Sequence, residues 1–200
     1  MLRNKCFVLG LDGLPFKYLS YLFNKGYMKR LHKIVNTGMM REINSVHPPV
    51  SSVAWTSFST GKPPADTNIF GFVDRSENSL FIPTDVQRKA ATIWEKLSAR
   101  EKRSIVINVP ISYPVSNING IMVSSFLCPR EDKSTYPHNY YHYLQQKGYK
   151  LDVDATLAIR DKPELMRQII SVMKARFEVT MELLREQDLL QELLVVIENI

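Results

Sequence analysis

Two residues, Asp12 and Ser51, combine a reactive side chain with a sequence context that suits chemistry. Asp12 follows the apolar run KCFVLGL of residues 5–11 and precedes Gly13. A carboxylate at the carboxyl end of a strand stands where ligands gather in open α/β sheets. With a glycine beside it for close approach, it is suited to a divalent metal. The plain alternative is that Asp12 caps the helix starting near Pro15, a stabilisation of about 1 kcal/mol. Ser51 follows His47-Pro48-Pro49-Val50 and opens a segment carrying Trp55 and Phe58 that stops at Gly61. At a helix start, backbone N–H groups and the positive end of the dipole form an oxyanion or phosphate site. A hydroxyl there, ionised by an adjacent metal, can attack phosphorus. Either Ser51 or Ser52 could instead be an ordinary N-cap.

Other reactive side chains have less support. His138 and His142 share i, i+4 spacing, which can bind zinc, but no HExxH accompanies them and four tyrosines flank them. They read as a surface aromatic cluster. His32 lies among Lys29, Arg30 and Lys33 and reads as solvated, while nothing requires His47 at the site. Cys6 falls in a strand expected to be buried, and Cys128 has no base nearby in sequence, so neither reads as a nucleophile.

The elements that must position Asp12 and Ser51 follow from periodicity and breakers. Residues 5–11 predict a buried strand, 16–23 and 27–37 two helices, and 39–46 a second strand. The prolines before Ser51 and Gly61 after it bound a helix of about two and a half turns. Residues 62–89 read as loop-rich. A helix over 90–100 feeds strands over 103–109 and 120–127, and 128–162 is an irregular, tyrosine-rich excursion. The longest helix is expected over 164–186, with Leu165, Ile169, Ile170, Met173, Phe177, Thr180, Met181 and Leu184 as its core stripe. A last strand falls near 189–197. This alternation predicts one α/β domain with a mostly parallel sheet and helices on both faces.

Composition narrows the class. The 200 residues are 44% hydrophobic and 23% charged with 2 Cys, which excludes disordered, collagen-like and disulfide-stapled chains. No apolar run approaches the roughly 20 residues of a membrane-spanning helix, and the N-terminus lacks a signal-type apolar region. With the two cysteines far apart, a cytoplasmic location without membrane is the expectation. A net charge of +6 favours anionic partners such as phosphorylated substrates, nucleic acid or acidic lipid. The Lys and Arg are scattered, so no dedicated nucleic-acid surface is expected.

The order of features resembles the N-terminal part of the alkaline phosphatase superfamily. Within it, the chain is most similar to the type I phosphodiesterase/nucleotide pyrophosphatase branch, including predicted phosphohydrolase/phosphomutase proteins. The resemblance is carried by VLGLDGLPF (8–16), LHKIVNTGMMREINSVHPPVSSVAWTSFSTGKPP (31–64), NIFGFVDR (68–75), ATIWEKLSAREKRSIVINVPISYPV (91–115) and GIMVSSFLCP (120–129). It implies a metal-dependent phosphoric ester hydrolase acting on a diester or nucleotide-type small molecule. Asp12 and Ser51 are then metal ligands, and Ser51 is also the nucleophile, with serine where the family usually has threonine. Ser52 and Val53 offer N–H groups to the phosphate, and Lys62 is an electrostatic helper. The implied cofactors are two divalent ions, zinc or in some relatives manganese. The family's Lys-His-Gly-Ile stretch is replaced by Asp66-Thr67-Asn68-Ile69, and its remaining metal ligands follow a strand like that at 189–197. Residues 1–200 thus resemble the N-terminal portion of the domain, with the C-terminal part missing. The alternative is a truncated, inactive remnant that binds a phosphorylated ligand or a partner chain and self-associates through an exposed sheet edge.

Overall fold

The computed structural model describes residues 5–186 and 193–199. In chain order, β1 (Cys6–Asp12) leads to α1 (Phe16–Asn24), α2 (Lys29–Thr37), α3 (Ser51–Thr60) and α4 (Pro64–Thr67). The short hairpin β2 (Asp74–Arg75) and β3 (Leu80–Phe81) precedes α5 (Ile93–Ser98), β4 (Ser104–Val109) and β5 (Gly120–Ser124). Then come β6 (Thr135–Tyr136), α6 (Tyr140–Gln146), α7 (Leu157–Arg160), α8 (Lys162–Glu186) and β7 (Leu193–Asn199). The main sheet has the order β1-β7-β4-β5-β6. Its first four strands run parallel, and β6 is antiparallel to β5.

Every residue of β4 is buried, so the strand reads as a continuous apolar run rather than an alternation. Its side chains still divide between two faces. Ile105 and Ile107, with Ile121 and Val123 of β5, meet Leu144 of α6 and Val179 and Leu183 of α8. Val106 and Met122 face the other way, against Trp94 of α5 and the partly buried Trp55 of α3. Helices therefore cover both faces of a mostly parallel sheet, as the sequence predicts. Each fully buried aliphatic side chain contributes about 1.5–3 kcal/mol relative to exposure. Close pairing of β4 and β5 also depends on Gly120. Its φ is +144° and an added Cβ would lie 1.9 Å from the Ser104 carbonyl oxygen.

Three expectations need correction. First, β1 is not a buried strand. It is an edge, paired only with β7, and Phe7 and Leu9 are 52% and 48% exposed. Phe7 and Leu9 share the face of Ile105 and Ile107, but α6 and α8 lie over β4 and β5 and leave them uncovered. Second, residues 39–46 form no strand. Met39 and Ile43 are 73% and 86% exposed, and without a neighbouring strand an alternating segment has no ladder to join.

Third, the buried row of α8 is Val172, Arg176, Val179 and Leu183, with Thr180 beside it, whereas Ile170, Met173 and Phe177 face outward. Thr180 is buried and Leu184 packs against the core as the sequence stripe expects, but hydropathy misplaced Ile170, Met173 and Phe177 because Arg176 takes a core position. Its guanidinium donates to the carbonyls of Lys150 (3.3 Å) and Leu151 (2.6 Å), which offsets part of the desolvation of a buried charge. Smaller differences follow the same logic. His32 is half-buried, stacked on Phe23 with ring centroids 4.5 Å apart, and Cys6 is exposed on the edge strand.

Candidate active site

Asp12 is the last residue of β1, and Gly13, at φ +75°, turns the chain toward Pro15 and α1. The N-cap of α1 is Pro15, with no side-chain cap, so Asp12 does not serve that helix. Across the cleft, the proline pair keeps Val50 extended (φ −111°, ψ 141°), and Val50 rather than a serine is the N-cap of α3. Ser51 is thus the first residue within the helix. Its hydroxyl does not cap; it donates to Asp12 Oδ1 at 3.3 Å. The two plain alternatives, a capping aspartate and a capping serine, are both replaced by one contact between residues 39 positions apart.

The pair opens into a cleft of about 460 Å³, walled by Gly13, Pro15, Ser45 and Val50 as well as by Asp12 and Ser51. At its α3 side the Val50 carbonyl takes the N–H groups of Val53 (3.0 Å) and Ala54 (2.9 Å). Val53 therefore has no free N–H for a phosphate, which corrects the expectation for that residue. The N–H groups of Ser51 and Ser52 have no partner among the described residues. Of these two first-turn groups, only that of Ser51 belongs to a residue lining the cleft, at the positive end of the helix dipole. Ser52 and Val53 are fully buried, backbone included, and neither lines the cleft, which also corrects the expectation for Ser52.

Lys62 does not join the group. It lies beyond Gly61, which ends α3 in the left-handed conformation (φ +68°). Ten helical residues separate the two ends by about 15 Å. Its ammonium lies 4.0 Å from Asp66, both half exposed, a pairing worth little in water. His47 is exposed and forms no part of the cleft wall. His138 precedes α6 rather than sharing a helical face with His142. Sequence reasoning missed Ser45, which brings a third hydroxyl to the cleft from a segment expected to be a strand.

Among the described residues, no three His, Cys, Asp or Glu side chains cluster as a metal site. One carboxylate and one hydroxyl do not by themselves hold two ions about 3.5–4 Å apart. The donor set among the described residues does not fit a two-metal centre. Asp12 pairs in register with Asn199, so the carboxyl end of β7 lies next to this pair in the sheet.

No curated protein matches the sequence significantly. Among solved structures, phosphonoacetate hydrolase from Sinorhizobium meliloti 1021, in complex with phosphonoformate or with phosphonoacetate, shares the fold. In each case the TM-score is 0.71 at 20% identity, over 98% of this chain and 46% of that one. The chain thus spans about half the length of these structures. A family model for type I phosphodiesterase / nucleotide pyrophosphatase matches residues 6–190, and these include the Asp12–Ser51 pair and the helix behind it. By that match, the chain belongs to the type I phosphodiesterase/nucleotide pyrophosphatase family.

Proposed function

We propose that this chain carries the nucleophile side of a phosphoric ester hydrolase centre, with Ser51 as nucleophile. The observation behind the reading is the Ser51–Asp12 hydrogen bond at the mouth of α3. Ser51 Oγ forms a bond to phosphorus while the ester P–O bond breaks, the hydroxyl proton passing by way of Asp12 to the departing alkoxide; water then cleaves the phosphoryl- or nucleotidyl-serine and returns a proton to Oγ. Asp12 accepts the hydroxyl hydrogen and turns an Oγ lone pair into the cleft. The N–H group of Ser51 and the helix dipole stabilise the negative charge gathering on the non-bridging oxygens. Family membership supports a phosphodiester or nucleotide-type substrate, and the ligands in the neighbour's structures are small phosphonates. A divalent ion, zinc or manganese, belongs to this reading as a cofactor for which Asp12 is a ligand. Because the described donors do not complete its shell, no step here runs through it.

A second reading is favoured by that donor count: the 200-residue chain binds phosphate esters without turning them over. Hydrolysis of p-nitrophenyl phosphodiester and monoester with zinc or manganese separates the two, comparing wild type, Ser51→Ala and Asp12→Ala. Turnover lost in both variants supports the hydrolase. Turnover unchanged by both defeats the site. No turnover, with phosphate-ester binding that weakens in the variants, supports the second reading.

A further inference from the structure

The chain's charge is not evenly placed. Residues 1–46 hold eight Lys or Arg against two acids, while residues 47–200 hold eighteen of each, so the whole +6 lies in the first segment. Within α1, α2 and the strand-free stretch after them, Lys17, Lys25, Lys29, Arg30, Lys33 and Arg41 form no ion pair among the described residues. The same elements leave large apolar and aromatic side chains in water. Tyr18 and Tyr21 stack with centroids 6.1 Å apart, the Lys25 ammonium lies over the Tyr21 ring, and Tyr27, Ile34, Met39 and Ile43 are 62%, 65%, 73% and 86% exposed. No residue of α2 is fully buried. The chain segment that carries these side chains leaves the cleft wall at Pro15 and returns to it at Ser45.

We propose that α1, α2 and residues 38–44 form a docking face for an anionic lipid bilayer, holding the Asp12–Ser51 cleft at the headgroup level. Unneutralised cations are attracted to the negative surface potential of such a membrane. Tyrosines and the stems of Lys and Arg settle at the interface, and Ile and Met side chains gain by entering the acyl boundary. Nucleic acid would neutralise the same charges but offers no apolar phase to Ile34, Met39 or Ile43. No described helix is long and apolar enough to cross a membrane, so the contact is peripheral. The inference rests on charge and exposure and does not depend on the hydrolase reading.

Co-sedimentation of the full 200-residue chain with vesicles tests it. The lipids are phosphatidylcholine alone and phosphatidylcholine with about 30% phosphatidylserine. The expected result is at least about tenfold stronger binding to the anionic vesicles, lost at about 0.5 M salt. Binding should drop about tenfold or more in the triple variant Lys25→Glu, Lys29→Glu, Lys33→Glu and several-fold in Ile34→Ser with Ile43→Ser, each verified as folded by circular dichroism. Ser51→Ala should bind vesicles as wild type does, which separates docking from catalysis. Equal binding to neutral vesicles would overturn the proposal, because an uncharged bilayer offers the cations no surface potential. Retention on single-stranded DNA without vesicle binding would overturn it in favour of nucleic acid, and no binding to either would also end it.

Discussion

The hydroxyl of Ser51 donates to Asp12 Oδ1 at 3.3 Å, joining the first residue of α3 to the last residue of β1. Neither residue caps its adjacent helix, so both are free to act on a ligand in the cleft between them.

Ser51→Ala removes the proposed nucleophile and is expected to reduce phosphodiester turnover at least about a thousandfold, with little change in folding. Ser51→Thr retains a hydroxyl at the same helix position and should preserve measurable turnover. Steady-state kinetics on a chromogenic diester, with thermal melts of each variant, provides the check. Alanine activity equal to wild type would remove Ser51 from the mechanism.

Lys62→Ala should leave both the apparent affinity for phosphate esters and the turnover unchanged. The ammonium lies past the far end of α3, and its exposed partner Asp66 is four residues along. Stability should move by less than about 0.5 kcal/mol. A several-fold rise in KM would return Lys62 to the site.

On α8, Leu183→Ala is expected to cost about 2–5 kcal/mol in urea unfolding, whereas Phe177→Ala should stay within about 0.5 kcal/mol. Leu183 is buried against the sheet and Phe177 is two-thirds exposed. Arg176→Met keeps an apolar stem but strands the carbonyls of Lys150 and Leu151, for an expected loss of about 2–3 kcal/mol. The opposite ranking of Leu183 and Phe177 would place the helix at another rotation.

Acid unfolding should expose the network around Arg88. Its guanidinium binds Asp85 (2.6 and 2.8 Å) and Glu95 (2.9 Å), and Glu95 also accepts from Thr92 and Ser116. Burial raises the Glu95 pKa, but the hydrogen bonds from Arg88 and Thr92 outweigh it and hold the carboxyl below its ordinary value near 4.5. Its stabilisation is therefore complete above that value and fades as pH falls through the lower folded one. For Asp85 burial outweighs Arg88 and raises the pKa, so protonation in acid favours the fold. Urea midpoints between pH 7 and pH 3 should fall less steeply in Glu95→Gln than in wild type, and more steeply in Asp85→Asn. Parallel slopes in all three would refute the assignment.

Much of the architecture was legible from one dimension. The Pro-Pro pair and Gly61 bracket α3 because they act through local backbone sterics, which no tertiary contact has to supply. The apolar runs around residues 105 and 121 announce buried strands for a similar reason, since transfer from water depends on side-chain type. Asp12 and Ser51 were each marked as candidates by such local signals. What local signals could not settle was whether either side chain faces its own helix or the other residue. Sheet order is likewise non-local: β7, late in the chain, enters between β1 and β4, while β1 becomes an edge and residues 39–46 find no partner. The face of α8 turned on Arg176, whose burial depends on two carbonyls presented by a loop 25 or more residues away. Residue types and local breakers thus determined most of the helices, the central strands and which groups can react, though not the fate of residues 39–46. Packing alone decided which of those groups meet, because hydrogen bonds and burial between distant segments exist only once the chain has closed.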